Sequence, residues 1–208
     1  MSSSSLSGAS TSWPLARSSA WTSEPSKPVA PTSSTRIARR LPSAIACRMR
    51  TVSHLRIRRA EKGDEEQIQA VVKSVWDEYG FAWDPGYYNR DLTDIQRHYF
   101  DVGGEFWVLV DGEAVVGTAG YLPRSDGACE LMRLYLLKTV RGQGWGKRLL
   151  EHVVAAARER EFKQMLIWSD KELETAHQMY VRYGARPIGD RWIRDADTYE
   201  EWGFVLDL

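Results

Sequence analysis

The chain has 208 residues, enough for one domain with a sizeable core plus an extension, and its formal net charge is zero. Residues 1–50 hold seven of the 28 Lys and Arg and one of the 28 Asp and Glu, so residues 51–208 carry a net charge of −6. This acidity argues against nucleic-acid binding and mildly favours a cationic substrate such as an amine, although surface acids also serve solubility. No apolar run approaches the length of a membrane span, so we expect no membrane partner.

The cysteines and histidines argue against two further kinds of site. Cys47 and Cys129 fall in a predicted tail and a predicted core strand, which implies no disulfide framework and fits a reducing, cytoplasmic location. The histidines show no metal-ligand spacing, so we expect no metal. They are His54, His98, His152 and His177.

Residues 1–50 are rich in Ser, with scattered Pro and Arg and little apolar periodicity, and we predict a disordered extension. An Arg-rich, Ser-rich and acid-poor segment is also typical of an organelle transit peptide. A third interpretation is a mis-called start, because the stretch that begins at Met49 is typical of a domain opening. In each case residues 51–208 are the predicted folded domain.

Apolar periodicity predicts the element order β-α-α-β-β-β-α-β-α-β-β. Asp64 is the predicted N-cap of the first helix, and Gly184 is a predicted C-cap. Asp111-Gly112 predicts a tight two-residue hairpin. The predicted elements are a strand around 55–57, helices over 64–79 and 92–99, strands over 105–110, 114–122 and 129–137, a helix over 145–157, a strand over 164–168, a helix over 173–183, and a closing antiparallel pair over 185–194 and 201–208.

A cluster of glycines lies where the strand ending near Leu137 passes into the helix that begins at Trp145. The first N–H groups of a helix have no intrahelical partner, and the helix dipole adds partial positive charge there. Glycine lacks the Cβ that would block an approaching ligand. The cluster Arg141-Gly142-Gln143-Gly144-Trp145-Gly146 therefore predicts an anion cradle suited to a phosphate or pyrophosphate, although a glycine-rich turn without a ligand is the alternative.

Two common phosphate loops do not fit this cluster. A Walker A loop needs four residues between its glycines, and then Lys followed by Ser or Thr. Here three residues lie between Gly142 and Gly146, and Arg148 follows Lys147. A dinucleotide fingerprint has different glycine spacing and lies near the start of a βαβ unit. The pattern Arg/Gln-x-x-Gly-x-Gly/Ala does fit, and it resembles the pyrophosphate loop of the GNAT superfamily of acetyl-CoA-dependent N-acetyltransferases.

A second motif supports the resemblance at the family's usual separation. Ala176-x-x-Met179-Tyr180-x-x-x-Gly184-Ala185 is similar to the family's Ala-x-x-Leu-Tyr-x-x-x-Gly-Phe helix. Ala185 replaces the usual aromatic residue, and Leu173 stands where many members have Asn, so one polar contact near the cofactor is in doubt.

The resemblance covers roughly residues 54–208. It implies an α/β GNAT-like fold: a central mixed, mostly antiparallel sheet, splayed between strands 4 and 5 and flanked by about four helices.

The resemblance also implies acetyl-CoA as cosubstrate. Its pyrophosphate would be bound by the loop residues Arg141, Gly142, Gln143, Gly144, Trp145, Gly146 and Lys147. Its carbonyl would accept a hydrogen bond from a backbone N–H near a bulge in the fourth strand, at Leu134, Tyr135 or Leu136. No side-chain signal marks such a donor.

The transfer needs a neutral amine, and a lysine-like amine with a pKa of about 10.4 is disfavoured in that form at pH 7 by about 4.6 kcal/mol. A general base removes this handicap. Glu130, eleven residues before Arg141, stands where some GNAT enzymes have a basic Glu; the alternative is a surface carboxylate. Asp84 or Asp170 could take its place.

Tyr180 is the candidate general acid, since the family places this Tyr beside the thioester sulfur. The alternative is a core tyrosine on an amphipathic helix.

The acceptor is expected to be a small-molecule amine or a peptide. In this fold the acceptor groove corresponds to residues 76–88 and about 192–202, which are aromatic and carry acids. The alternative is that these aromatics form the core or the interface of a homodimer. A non-catalytic acyl-CoA-binding sensor, or an acyltransferase with another acyl donor, is the rival function. The acids are Asp77, Glu78, Asp84, Asp195, Asp197 and Glu200.

Overall fold

The computed structural model describes residues 55–194 and 198–208, so the predicted extension over residues 1–50 lies outside the described residues, as do Asp195 and Asp197. The strands are β1 Leu55–Arg59, β2 Glu105–Asp111, β3 Ala114–Pro123, β4 Cys129–Leu136, β5 Gln164–Asp170, β6 Arg186–Arg194 and β7 Thr198–Asp207. The helices are α1 Glu65–Tyr79, α2 Ile95–His98, α3 Trp145–Glu159 and α4 Glu174–Tyr183, with 3₁₀ turns at Arg90–Thr93, Phe100–Val102 and Lys138–Val140.

The described strands form one mixed sheet in the order β1-β2-β3-β4-β5-β7-β6. Neighbours pair antiparallel except β4 and β5, which are parallel and joined by α3. Helices α1 and α2 cover one face of the sheet, and α3 and α4 cover the other. The predicted fold class and element order are thus confirmed.

The two helices nearest the predicted cofactor loop pack through their predicted apolar faces. Gly184 ends α4 with a left-handed φ of 108°, and its N–H donates to the Tyr180 and Val181 carbonyls, as predicted for a C-cap. On α3, five side chains are completely buried. Burial of each Leu or Val contributes about 1.5–3 kcal/mol to the stability of the fold, and burial of the Ala contributes less. They are Leu149, Leu150, Val153, Val154 and Ala157.

Asp64 precedes α1, as predicted, but its side chain does not cap the helix. Its carboxylate accepts hydrogen bonds from two Arg58 nitrogens at 2.6 and 2.8 Å and from the Glu61 N–H at 2.8 Å. The prediction of a side-chain cap is wrong because a bidentate arginine competes for the same oxygens.

Two other local predictions differ from the structure. Asp111 pairs with Ala114, so the hairpin turn consists of Gly112 and Glu113 and lies one residue later than predicted. The helix predicted over residues 92–99 is interrupted at Asp94, whose carboxylate accepts the Arg97 N–H at 3.0 Å and starts α2. An N-capping Asp breaks a helix when it lies inside an apparently continuous pattern.

The sheet opens between β4 and β5. Two residue pairs join these strands, Cys129 with Met165 and Glu130 with Leu166, after which the strands separate. On its other side β4 carries a bulge, because two residues, Arg133 and Leu134, lie opposite one residue of β3. The gap and the bulge therefore lie side by side in the middle of the sheet.

Candidate active site

A cavity of about 340 Å³ lies where β4 and β5 separate. Its walls come from the segment between α1 and α2, from strands β4 to β7 and from α4. The lining includes both predicted catalytic residues, together with two acids on β5 and β7. The polar residues of interest here are Tyr88, Glu130, Tyr135, Asp170, Tyr180 and Glu201.

Glu130 reaches this cavity from the closed end of the gap. Its carboxylate accepts a hydrogen bond from Arg124 at 2.7 Å, and its side chain is one-fifth exposed. The Glu130 carboxylate at the cavity is therefore paired with the Arg124 guanidinium.

Tyr180 lies on α4 on the opposite side of the gap, and its side chain is buried. Its ring packs near Phe204 of β7, with centroids 5.9 Å apart. Burial and the nearby Tyr135 raise the pKa of Tyr180 above its usual value of about 10, so the phenol holds its proton throughout the neutral range. The hydroxyl borders the cavity as a neutral group.

The predicted carbonyl donors lie on β4 immediately after the bulge. Leu134 and Tyr135 line the cavity, whereas Leu136 packs towards the glycines. The bulge itself contains Arg133 with a φ of 53°, an uncommon conformation for a residue other than glycine. Thr118 on β3 donates its hydroxyl to the Arg133 carbonyl at 2.7 Å and holds the bulge in place.

The glycine loop has the geometry of an open cradle. Gly142 and Gly144 have left-handed φ values of 72° and 84°, and a Cβ built on either would meet nothing within 4 Å. Gly146 is different, because a Cβ there would lie 3.4 Å from Leu136 and from Met179. Thus two glycines shape the loop, and the third lets α3 approach β4 and α4.

The amides of this loop are available to a ligand. Arg148 donates its N–H to the Gly144 carbonyl at 3.1 Å, which is the first bond of α3. The N–H groups of residues 142–147 donate to no acceptor within the part of the chain that the structure describes. Such free amides at a helix N-terminus are the expected partners of a phosphate group.

The Arg141 side chain is used within the protein. It donates to both carboxylate oxygens of Glu78, at 2.7 and 3.2 Å, and to the Leu136 carbonyl at 2.7 Å. Although partial burial disfavours its charge, these bonds and Lys138 lower the pKa of Glu78. Arg141 therefore ties the loop to α1.

The other side chains of the loop also have protein partners. Gln143 donates to the Thr139 carbonyl at 3.0 Å, Lys147 pairs with Glu151 at 3.0 Å, and the Arg148 guanidinium stacks on the Trp145 ring at 4.7 Å. The backbone of the loop, more than its side chains, faces open space.

Asp84, one of the two alternative bases, does not line the cavity. Its carboxylate accepts the N–H groups of Gly86 and Tyr87, at 2.9 and 3.0 Å, and so forms its own turn. Asp170, the other alternative, does line the cavity.

The aromatics predicted to line an acceptor groove divide between core and cavity. Trp76 is buried, and Phe81, Trp83 and Tyr88 pack edge-on or tilted against it with centroids 5.4 to 5.9 Å away. Tyr87 and Tyr88 also line the cavity, whereas Trp192 does not and is exposed. Part of the aromatic segment therefore belongs to the core, and part of it lines the cavity.

Sequence reasoning missed the ion pair of Arg133. Its guanidinium donates to both oxygens of Asp91 at 2.7 and 3.0 Å, to Asn89 at 3.2 Å and to the Tyr88 carbonyl at 2.8 Å. Although burial disfavours its charge, Asp91 raises the pKa of Arg133 further above its usual range. No sequence signal reveals this contact, because Arg133 and Asp91 are 42 residues apart.

The gapped sheet and the open glycine loop define the class of protein. Residues 68–185, more than half of the chain, match the acetyltransferase (GNAT) family, and the chain belongs to this family. None of the helices in the described residues is long and apolar enough to cross a membrane.

The chain is similar to several N-acetyltransferases. It is 32% identical over 137 residues to the uncharacterised N-acetyltransferase YjgM of Escherichia coli, and the matched region covers 64% of this chain and 82% of that protein. It is 30% identical over 108 residues to N-acetyltransferase 8F1 of Rattus norvegicus, and spans about half of that relative. These relatives support a transferase.

Solved structures support the fold. An acetyltransferase of the GNAT family from Staphylococcus aureus has a TM-score of 0.65 and 20% identity, over 74% of this chain and 98% of that one. An acetyltransferase from Streptococcus agalactiae has a TM-score of 0.66 at the same identity and coverage.

Proposed function

We propose that the protein transfers an acetyl group from acetyl-CoA directly to a primary amine, without an acyl-enzyme intermediate. The observation that carries this proposal is the run of free amides at residues 142–147, next to a gap between β4 and β5 that Tyr180 borders. The amides suit the pyrophosphate of coenzyme A, and the gap suits its thioester.

In this proposal the glycine loop binds the pyrophosphate of coenzyme A through backbone N–H groups. Open space around Gly142 and Gly144 leaves room for a phosphate to approach the amides closely. A backbone N–H after the β4 bulge, at Leu134, Tyr135 or Leu136, donates to the thioester carbonyl where negative charge develops. The buried ion pair of Arg133 holds the bulge, and hence these donors, in position.

Tyr180 protonates the leaving sulfur. Because burial raises its pKa, Tyr180 is a weaker acid than a thiol of pKa about 8.5, so a simple proton transfer to sulfur is uphill. The transfer becomes favourable if Tyr180 regains a proton from the reacting nitrogen at the same time. Tyr180 thus acts as a relay between the nitrogen and the sulfur.

The acceptor is a small-molecule amine or a peptide that enters the cavity at the gap. The cavity offers Glu130 as one base, with Asp170 as an alternative. A cytoplasmic location is part of the proposal and rests on cysteine usage, with Cys129 buried as a free thiol.

The cradle is tested by Gly144→Glu. The new side chain places bulk and negative charge at the amides, so we expect acetyl-CoA affinity measured by isothermal titration calorimetry to fall at least about tenfold, equivalent to about 1.4 kcal/mol. Gly63→Glu is the matched control, because Gly63 also has a left-handed φ and open space around it. Equal affinity in Gly144→Glu and wild type would contradict the cradle.

The reaction itself is tested by acetyl-CoA consumption. We expect at least one member of a panel of polyamines, amino acids, aminoglycosides and peptides to be acetylated on nitrogen, as identified by mass spectrometry. Tight acetyl-CoA binding without turnover on any amine would instead favour an acyl-CoA-binding module.

A further inference from the structure

Asp170 occupies a distinctive place at the gap. It is the last residue of β5, four residues beyond the last pair between β4 and β5, and it lines the cavity. On β7, Glu201 lies directly opposite Asp170 in the register, and Glu201 lines the same cavity. Two carboxylates from adjacent strands thus face one space.

The other acids of the cavity are already paired with arginines. Asp91 pairs with Arg133, Glu130 with Arg124 and Glu201 with Arg191. Asp170 has no Lys, Arg or His within ion-pair distance among the side chains that the structure describes, those of residues 55–193 and 199–208. It is therefore a partly buried carboxylate without a cationic partner among those side chains.

We propose that Asp170 binds the acceptor as its ammonium ion and is the general base that deprotonates it. This inference rests on the proposed function and narrows its substrate class to amines that arrive protonated. Aromatic rings suit the same ligand, since Tyr87 and Tyr88 line the cavity and ring faces attract cations. Glu130, paired with Arg124, then contributes to the electrostatic field of the site and is not the base.

The proton balance is complete with the groups present. One ammonium proton passes to Asp170, and the neutral nitrogen attacks the thioester carbonyl carbon. A C–N bond forms and the C–S bond breaks. The sulfur takes the Tyr180 proton, and Tyr180 regains one from the nitrogen. Asp170 finally releases its proton to solvent, so one proton is released for each acetyl group transferred.

The surroundings of Asp170 suit this role. Burial, with added repulsion from Glu201 on β7 and Glu172 in the loop after β5, raises the pKa of Asp170 to about 7, against the attraction of Arg133. Tyr135 on β4 is a further titratable neighbour and is neutral, because burial raises its pKa. The pKa of Asp170 lies closer to that of an ammonium ion than the pKa of about 3.9 of an ordinary Asp, so Asp170 is the stronger base towards the ammonium proton.

The first experiment measures ammonium binding without turnover. Propylammonium chloride is titrated into the wild-type protein and followed by NMR, with propan-1-ol as the neutral comparison. We expect saturable binding of propylammonium alone, weakened at least about tenfold in Asp170→Asn, as for the loss of a charged partner. Asp190→Asn, which changes an exposed acid outside the cavity, should bind as wild type. Equal binding to wild type and Asp170→Asn overturns the proposal.

The second experiment measures turnover against pH, with the best amine of the panel. In wild type we expect kcat/KM to rise through an apparent pKa near 7, as Asp170 loses its proton. In Asp170→Asn we expect this pH-dependent step to be absent and the rate to fall about 10²–10⁴-fold, with unchanged acetyl-CoA affinity. If Glu130→Gln removes the step and Asp170→Asn keeps it, the proposal is overturned and the proposed function stands. Asp170-dependent ammonium binding without any turnover would overturn the proposed function and support the ammonium site.

Discussion

At the scale of single residues, the site combines groups whose charge is held constant with one whose charge can change. Tyr135 and Tyr180 stay neutral because burial raises their pKa values, and Arg133 stays charged beside Asp91. Asp170, by contrast, titrates near neutrality. In the proposed reaction this difference makes Tyr180 the proton donor and Asp170 the proton acceptor.

Tyr180→Phe removes the hydroxyl and keeps the ring against Phe204. We expect turnover to fall about 10²–10⁴-fold, because the leaving sulfur loses its proton donor. Acetyl-CoA affinity measured by calorimetry should stay near the wild-type value. Tyr183→Phe, one turn later on the same helix, should keep both quantities, and an unchanged rate in Tyr180→Phe would remove Tyr180 from the mechanism.

Asp170→Asn should also change stability, with a definite sign. The folded-state pKa of about 7 lies above the unfolded value of about 3.9. Between these values the folded protein keeps a proton that the unfolded chain releases, so Asp170 destabilises the fold as the pH rises. We expect Asp170→Asn to melt at a higher temperature than wild type at pH 8, by a few degrees, and the difference to disappear near pH 4.

At the scale of secondary-structure elements, the Arg133 ion pair joins the β4 bulge to the segment between α1 and α2. Asp91 also accepts the Tyr99 hydroxyl at 2.5 Å, so α2 belongs to the same network. Residues that line the acceptor cavity and residues that are proposed to hold the thioester carbonyl therefore share one support.

Arg133→Met leaves Asp91 partly buried without its cation, and we expect a loss of about 3–5 kcal/mol in the free energy of unfolding, measured with urea. Hydrogen exchange over residues 84–92 should accelerate. Combining Arg133→Met with Asp91→Asn should cost less than the sum of the single changes, because the unpaired charge is removed. Additive losses would contradict a coupled pair. Arg90→Met, an exposed change in the same segment, should have little effect.

The elements themselves were largely predictable. Apolar spacing on α1 and α3 and the Gly184 cap follow from local rules, and the structure confirms them. The loss of the Asp64 cap depends on Arg58 of β1, whose guanidinium takes the carboxylate oxygens, and a helix-capping pattern carries no sign of that pairing. The left-handed Arg133 is the clearer case, since its conformation depends on Thr118 and its side chain on Asp91.

At the scale of the whole molecule, the two motifs and their separation predicted the fold, the glycine loop and the place of Tyr180. They favoured Glu130 as the base and left Asp170 as an alternative. The proposal made above reverses this order because Glu130 has an arginine partner, and such a pairing is a property of the folded chain. Sequence reasoning could not divide the predicted acceptor segment between core and cavity, because core aromatics and cavity aromatics share one composition.

The gap in the sheet has a consequence for the order of events in the proposed reaction. The cavity has walls from the segment between α1 and α2 and from α4, whereas the glycine loop lies at the start of α3. With the acceptor in the cavity and the pyrophosphate at the loop, the proposed reaction brings the two substrates together only at the thioester. A long acceptor such as a peptide can therefore stay in the cavity while spent coenzyme A leaves the loop.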